Sequence, residues 1–170
     1  MLSCVKLARS RLTRTQIEKL LEHFVAGTPA RPAAAMACVN RNTSNAFYRR
    51  LRALIARRLA LLSPPQSQFG LLEQDGAVRV LVDPAAGERC DALVRLRERR
   101  VLRAPDLTLE AETRNPRIDE FWRKLQQLLR RYNGMPRAQF HLFLAECEWR
   151  LRCGAPRHCL HALRHWLSRI

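Results

Sequence analysis

The chain has 170 residues, 47% hydrophobic and 27% charged, which suits one medium domain or two small ones and excludes a large multidomain enzyme. Its 31 Lys and Arg against 15 Asp and Glu give a formal charge of +16, and 28 of those 31 cations are Arg. Charge of that size points to a polyanion, and Arg suits one especially because its guanidinium holds phosphate through two hydrogen bonds and reads guanine edges.

No run of 18 uncharged apolar residues is present to span a bilayer, and the opening MLSCVKLARSRLTRTQ lacks the apolar run of a secretory signal. Six Cys without a CxxC pair do not read as a disulfide framework, so a cytoplasmic, nucleoid-associated protein without membrane contact is expected. The charge is uneven. Residues 1–62 hold 12 basic and 2 acidic side chains, residues 63–116 hold 8 and 9, and residues 117–170 hold 11 and 4. A Pro/Ser break at Ser63, Pro64, Pro65, Gln66 and Ser67 puts a domain junction after residue 62, giving units 1–62 and 63–170.

In chain order, Ile17, Leu20, Leu21 and Phe24 recur at helical spacing until Gly27 and Thr28. Pro32 followed by Ala33 to Ala37 reads as a short second helix, and Cys38 to Arg41 as a turn. Asn42 or Thr43 is the expected cap of a third helix, with Phe47, Leu51, Leu54, Ile55 and Leu59 as its apolar stripe. Gln68 to Gln74 and Ala77 to Val82 around Asp75 and Gly76 predict a β-hairpin. The stretch Glu88 to Leu102 has helical spacing at Leu93, Val94 and Leu96, and Asp106 to Glu110 suits a short strand. Three further helices follow: one with Ile118, Phe121, Trp122, Leu125, Leu129 and Tyr132 inward, one with Phe140, Phe143, Leu144, Cys147 and Leu151 inward, and one from Pro156 to Ile170. The fold class expected is α+β.

The first three helices make a helix-turn-helix arrangement, in which the start of the last helix enters the DNA major groove. Thr43, Ser44 and Asn45 then meet base edges or phosphates, while Tyr48, Arg49 and Arg52 grip the backbone. The plainer alternative is a trihelical bundle with a solvated basic face. A second cluster, Cys147, Cys153, His158, Cys159, His161 and His165, has zinc-ligand chemistry but no knuckle spacing, and packing accounts for Cys147.

Three blocks carry a family likeness: RLTRTQIEKLLEHFVAGTPARPAAAMACVNRNTSNAFYRRLRALI, FGLLEQDGAVRVLVDP and IDEFWRKLQQLLRRYNGMPRAQFHLFLAECEWRL. In this order they resemble the small DDE insertion-sequence transposases of the family numbered fifteen-ninety-five, over about residues 10 to 152. The resemblance implies a helix-turn-helix that reads terminal inverted repeats of double-stranded DNA. It also implies an RNase H-like domain in which three carboxylates hold two Mg²⁺ or Mn²⁺ ions for strand cleavage and transfer.

The chain departs from that pattern. Leu62 leads through SPPQSQ directly to Phe69, so the strand bearing the family's first catalytic Asp is missing. Glu112, in APDLTLEAET, stands nearest the second acid, and Asp119 stands at the third, which makes it the implied metal ligand. Pro116 occupies the place of the family's Asn, with Asn115 beside it, and Gln126 the place of a basic residue.

The expectation is therefore a helix-turn-helix followed by a truncated RNase H-like domain with a helical C-terminus. Such a protein is a transposase or a transposase-derived one that binds element ends with strand cleavage lost. The alternative is a domesticated, non-catalytic DNA-binding protein, a regulator or accessory subunit. The expected protein partners are a second copy of the chain or a full-length transposase subunit.

Overall fold

A computed structural model describes residues 12–62, 69–74, 77–82, 90–96, 100–111, 116–132 and 134–168. Helices α1 (Arg14–Val25), α2 (Ala30–Met36) and α3 (Arg41–Leu62) precede strands β1 (Phe69–Gln74), β2 (Ala77–Val82), β3 (Cys90–Leu96), β4 (Val101–Leu102) and β5 (Leu107–Ala111). Helix α4 (Pro116–Arg130), strand β6 (Met135–Pro136) and helices α5 (Phe140–Cys153) and α6 (Pro156–Leu167) complete an α+β chain. Among the described residues no helix is long and apolar enough to cross a membrane.

Two compact units form. One comprises residues 1–50 and 152–170, the other residues 51–151. Helix α6 belongs with the N-terminal helices in the first unit; the junction expected after residue 62 falls at the end of α3, and the Pro/Ser break itself lies outside the described residues.

In the first unit Thr13 caps α1 with a capping box: its hydroxyl accepts from Gln16 N–H while the Gln16 carboxamide accepts from Thr13 N–H. Gly27, at φ 75°, ends α1, with Thr28 N–H donating to His23 C=O and Gly27 N–H to Phe24 C=O. Helix α2 ends in the same way, with Val39 N–H donating to Ala34 C=O and Cys38 N–H to Ala35 C=O, but its left-handed residue is Cys38, at φ 53°. Leu20, Leu21, Phe24, Ala33, Ala34, Phe47 and Tyr48 are buried, as are Cys159 and Leu163 of α6. The Phe24 and Tyr48 rings meet edge to face at 5.0 Å.

In the second unit β1, β2, β3 and β5 make an antiparallel sheet in that order. The hairpin forms as expected, with Phe69 opposite Val82 and Gln74 opposite Ala77. The helix expected within Glu88 to Leu102 is instead β3, paired from Ala77–Arg95 to Val82–Cys90. The sequence had a period-two signal as well: Cys90, Ala92, Val94 and Leu96 alternate with Asp91, Leu93 and Arg95, and pairing on both sides selects the strand. The helical core gathers Leu102, Phe121, Trp122, Leu125, Leu129, Met135, Phe140, Phe143, Leu144 and Cys147. Gly134 permits the two-stranded β4–β6 ladder; a Cβ there would stand 2.6 Å from Val101 Cγ1.

Candidate nucleic-acid interface

Helix α3 presents the candidate surface. It starts two residues earlier than a cap at Asn42 would allow and three earlier than one at Thr43, because Asn40 does the capping: its side-chain oxygen accepts from Asn42 N–H at 2.8 Å. Gln16 fixes the turn before it, donating its side-chain amide to Cys38 C=O at 3.1 Å. Beside this turn lies an open cleft of about 610 Å³, lined among others by Gln16, Asn40, Asn42, Thr43 and Arg50.

The six expected DNA contacts divide into two groups. Asn45 and Arg49 are exposed and Thr43 is half-buried on the cleft wall. Ser44, Tyr48 and Arg52 are buried at 0%, 1% and 5% exposure, so their expected role at the DNA surface is corrected. Ser44 Oγ donates to Ala30 C=O at 2.8 Å, fastening α3 to α2, and Tyr48 packs on Phe24. Spacing explains the correction: Ser44, Tyr48, Leu51 and Ile55 follow one another at four, three and four residues, a single helical face. By the same rule Asn42, Asn45 and Arg49 share an outer face, and Asn42, Arg41 and Arg50 join the accessible set that the sequence reading missed. The signal that finds them is the apolar stripe itself.

Arg52 has a different task in the second unit. Its Nε donates to Glu146 Oε2 at 2.6 Å and its Nη2 to the Tyr132 hydroxyl at 2.8 Å, while its guanidinium lies 3.9 Å from the centroid of the Phe143 ring. Glu146, fully buried, also accepts from Arg150 at 2.7 Å. Burial, and then the Glu146 charge, push the Tyr132 hydroxyl up to about 12. Burial likewise raises the Cys147 thiol to about 12, with the Glu146 charge adding to it; its Sγ faces Phe121 C=O at 3.7 Å.

The first unit holds two carboxylates in all, Glu18 and Glu22, and Arg164 of α6 meets both, at 2.8 and 3.8 Å. None of α1, α2, α3 and α6 has an acid in its first turn, where a helix dipole favours one. Each instead has an exposed Arg there: Arg14, Arg31, Arg41 and Arg157.

Of the two implied catalytic residues, Asp119 is among the described ones. Asp119 is exposed in the first turn of α4, where a negative charge suits the helix N-terminus in any case. Glu112 lies outside the described residues, and among the described residues no three Asp, Glu, His or Cys side chains cluster to hold a metal. The described residues therefore do not fit a two-metal site for Mg²⁺ or Mn²⁺, and the C-terminal Cys and His residues do not assemble a zinc site.

Over 33 residues the chain is 46% identical to an uncharacterized transposase-like protein of Haemophilus influenzae, a match covering 19% of this chain and 27% of that relative. The similarity thus spans about a quarter of the relative's length. No protein-family model matches the chain, and no solved structure matches it.

Proposed function

We propose that this chain is a transposase-derived DNA-binding protein that recognises double-stranded DNA at the ends of an insertion element and has lost strand cleavage and transfer. In this reading α1, α2 and α3 are a helix-turn-helix, with Asn42, Asn45 and Arg49 toward the major groove and Thr43, Arg41 and Arg50 toward phosphates. The observation that carries it is the polar, basic outer face at the start of α3, directly after the braced turn that Gln16 and Asn40 hold. Asn can bond adenine and Arg guanine through paired hydrogen bonds, so these are base-reading side chains. The RNase H-like reading of the second unit rests on the sequence blocks rather than on its antiparallel sheet.

The missing strand of the family's first catalytic Asp favours loss of catalysis, and with it a second reading as a domesticated repressor, architectural factor or accessory subunit. Gel-shift titration separates the two. Tight binding to the inverted repeats beside the gene, weakened in Asn45→Ala and Arg49→Ala, supports the element-end reading. Preference for an unrelated promoter supports the second, and equal weak binding to every duplex removes sequence recognition from the account.

A further inference from the structure

We infer that the exposed face of α6 is a second DNA-contacting surface, one that grips the phosphate backbone of double-stranded DNA independently of sequence; the inference rests on the DNA-binding reading above. Helix α6 belongs to the same compact unit as α1, α2 and the start of α3. It buries Cys159 and Leu163 and presents Arg157, His158, His161 and His165 to solvent. Those four residues extend over nine positions, eight helical steps or about 12 Å, the axial length of three to four phosphates on one strand.

The alternative is an ordinary solvated face, and charge balance argues against it. Solvated helices mix both signs, as α4 does with exposed Asp119, Glu120, Arg123 and Lys124 and a Glu120–Lys124 pair at 2.8 Å. Helix α6 has no acid at all, nor has any position from Trp149 to Ile170. The two acids of its unit, Glu18 and Glu22, are both taken up by Arg164, and among the described residues no ion pair engages Arg157. A guanidinium flanked by imidazole N–H donors on a face of one sign is suited to phosphate oxygens.

The test is fluorescence titration of the full chain with a duplex of about 30 base pairs, one carrying the flanking inverted repeat and one scrambled, between 50 and 200 mM salt. Arg157→Ala is expected to shrink the loss of affinity across that range about 3.5-fold, the effect of one phosphate contact, and equally on both duplexes. Arg157→Lys should keep the wild-type slope. Placing negative charge on this face, as Arg157→Glu or as His161→Glu with His165→Glu, should weaken binding on the order of tenfold. All of these positions are exposed, so the melting temperature should stay that of the wild type. If the α6 variants bind like the wild type while Arg49→Ala binds weakly, the α6 inference is overturned and the α3 reading stands. If the wild type binds neither duplex, both are overturned.

Discussion

Replacing Arg52 by Ala should unfold the protein more easily without touching a DNA-facing side chain. Breaking a buried ion pair destabilises by about 3–5 kcal/mol when the remaining charge has no partner. Glu146 keeps Arg150 at 2.7 Å, which lowers the expected loss to about 2–3 kcal/mol. Loss of the Tyr132 hydrogen bond and of the Phe143 ring contact adds about 1–2 kcal/mol. The sum, about 3–5 kcal/mol, is a large part of the stability of a domain this size. Urea denaturation followed by circular dichroism measures it as a fall in midpoint at unchanged slope. A double replacement, Arg52→Met with Glu146→Leu, should recover much of the loss, because it removes both buried charges. A variant Arg52→Ala that loses less than about 0.5 kcal/mol while weakening DNA binding would refute this assignment and return Arg52 to the DNA surface.

Three further outcomes follow from the same geometry. Cys38→Gly should raise stability by about 1 kcal/mol in thermal melts, since Gly adopts the left-handed backbone of the α2–α3 turn without a Cβ penalty; no gain would contradict that turn. Tyr132 and Cys147 both have folded-state values raised to about 12, so the stability they contribute is complete below their ordinary values of 10.0 and 9.0. It is lost as the pH climbs from about 9 to 12, at about 1.4 kcal/mol per pH unit for each group, and melts that stayed flat over that range would refute their burial. Asn45→Ala and Arg49→Ala should leave the melting temperature within a degree or so and weaken DNA binding by about 1–3 kcal/mol each, as calorimetry would show.

The helices and the hairpin were legible because each has a local signature: amphipathic periodicity for α1, α3 and α4, and two apolar runs around Asp75 and Gly76 for β1 and β2. Strand β3 was not, because the apolar residues of so short a segment fit either period and its neighbours in the sheet decide. The turn from Cys38 to Arg41 was legible but the left-handed backbone at Cys38 was not, since it is imposed by the close of α2 rather than by residue type. Ser44, Tyr48 and Arg52 are polar residues on a buried face. Residue type misled where spacing did not for Ser44 and Tyr48, whereas the partner of Arg52, Glu146, stands 94 positions away. The docking of α6 with α1 through Arg164 and Glu18 is equally long-range and has no local sign.

The most direct test of the account is one titration on end-labelled DNA carrying the inverted repeats that flank the gene, run over a salt series with and without Mn²⁺. The account predicts tight, salt-sensitive binding that depends on Asn45 and Arg49 and leaves both strands intact in Mn²⁺. Specific nicking that disappears in Asp119→Asn would contradict it, and would mean that other carboxylates complete a metal site around Asp119.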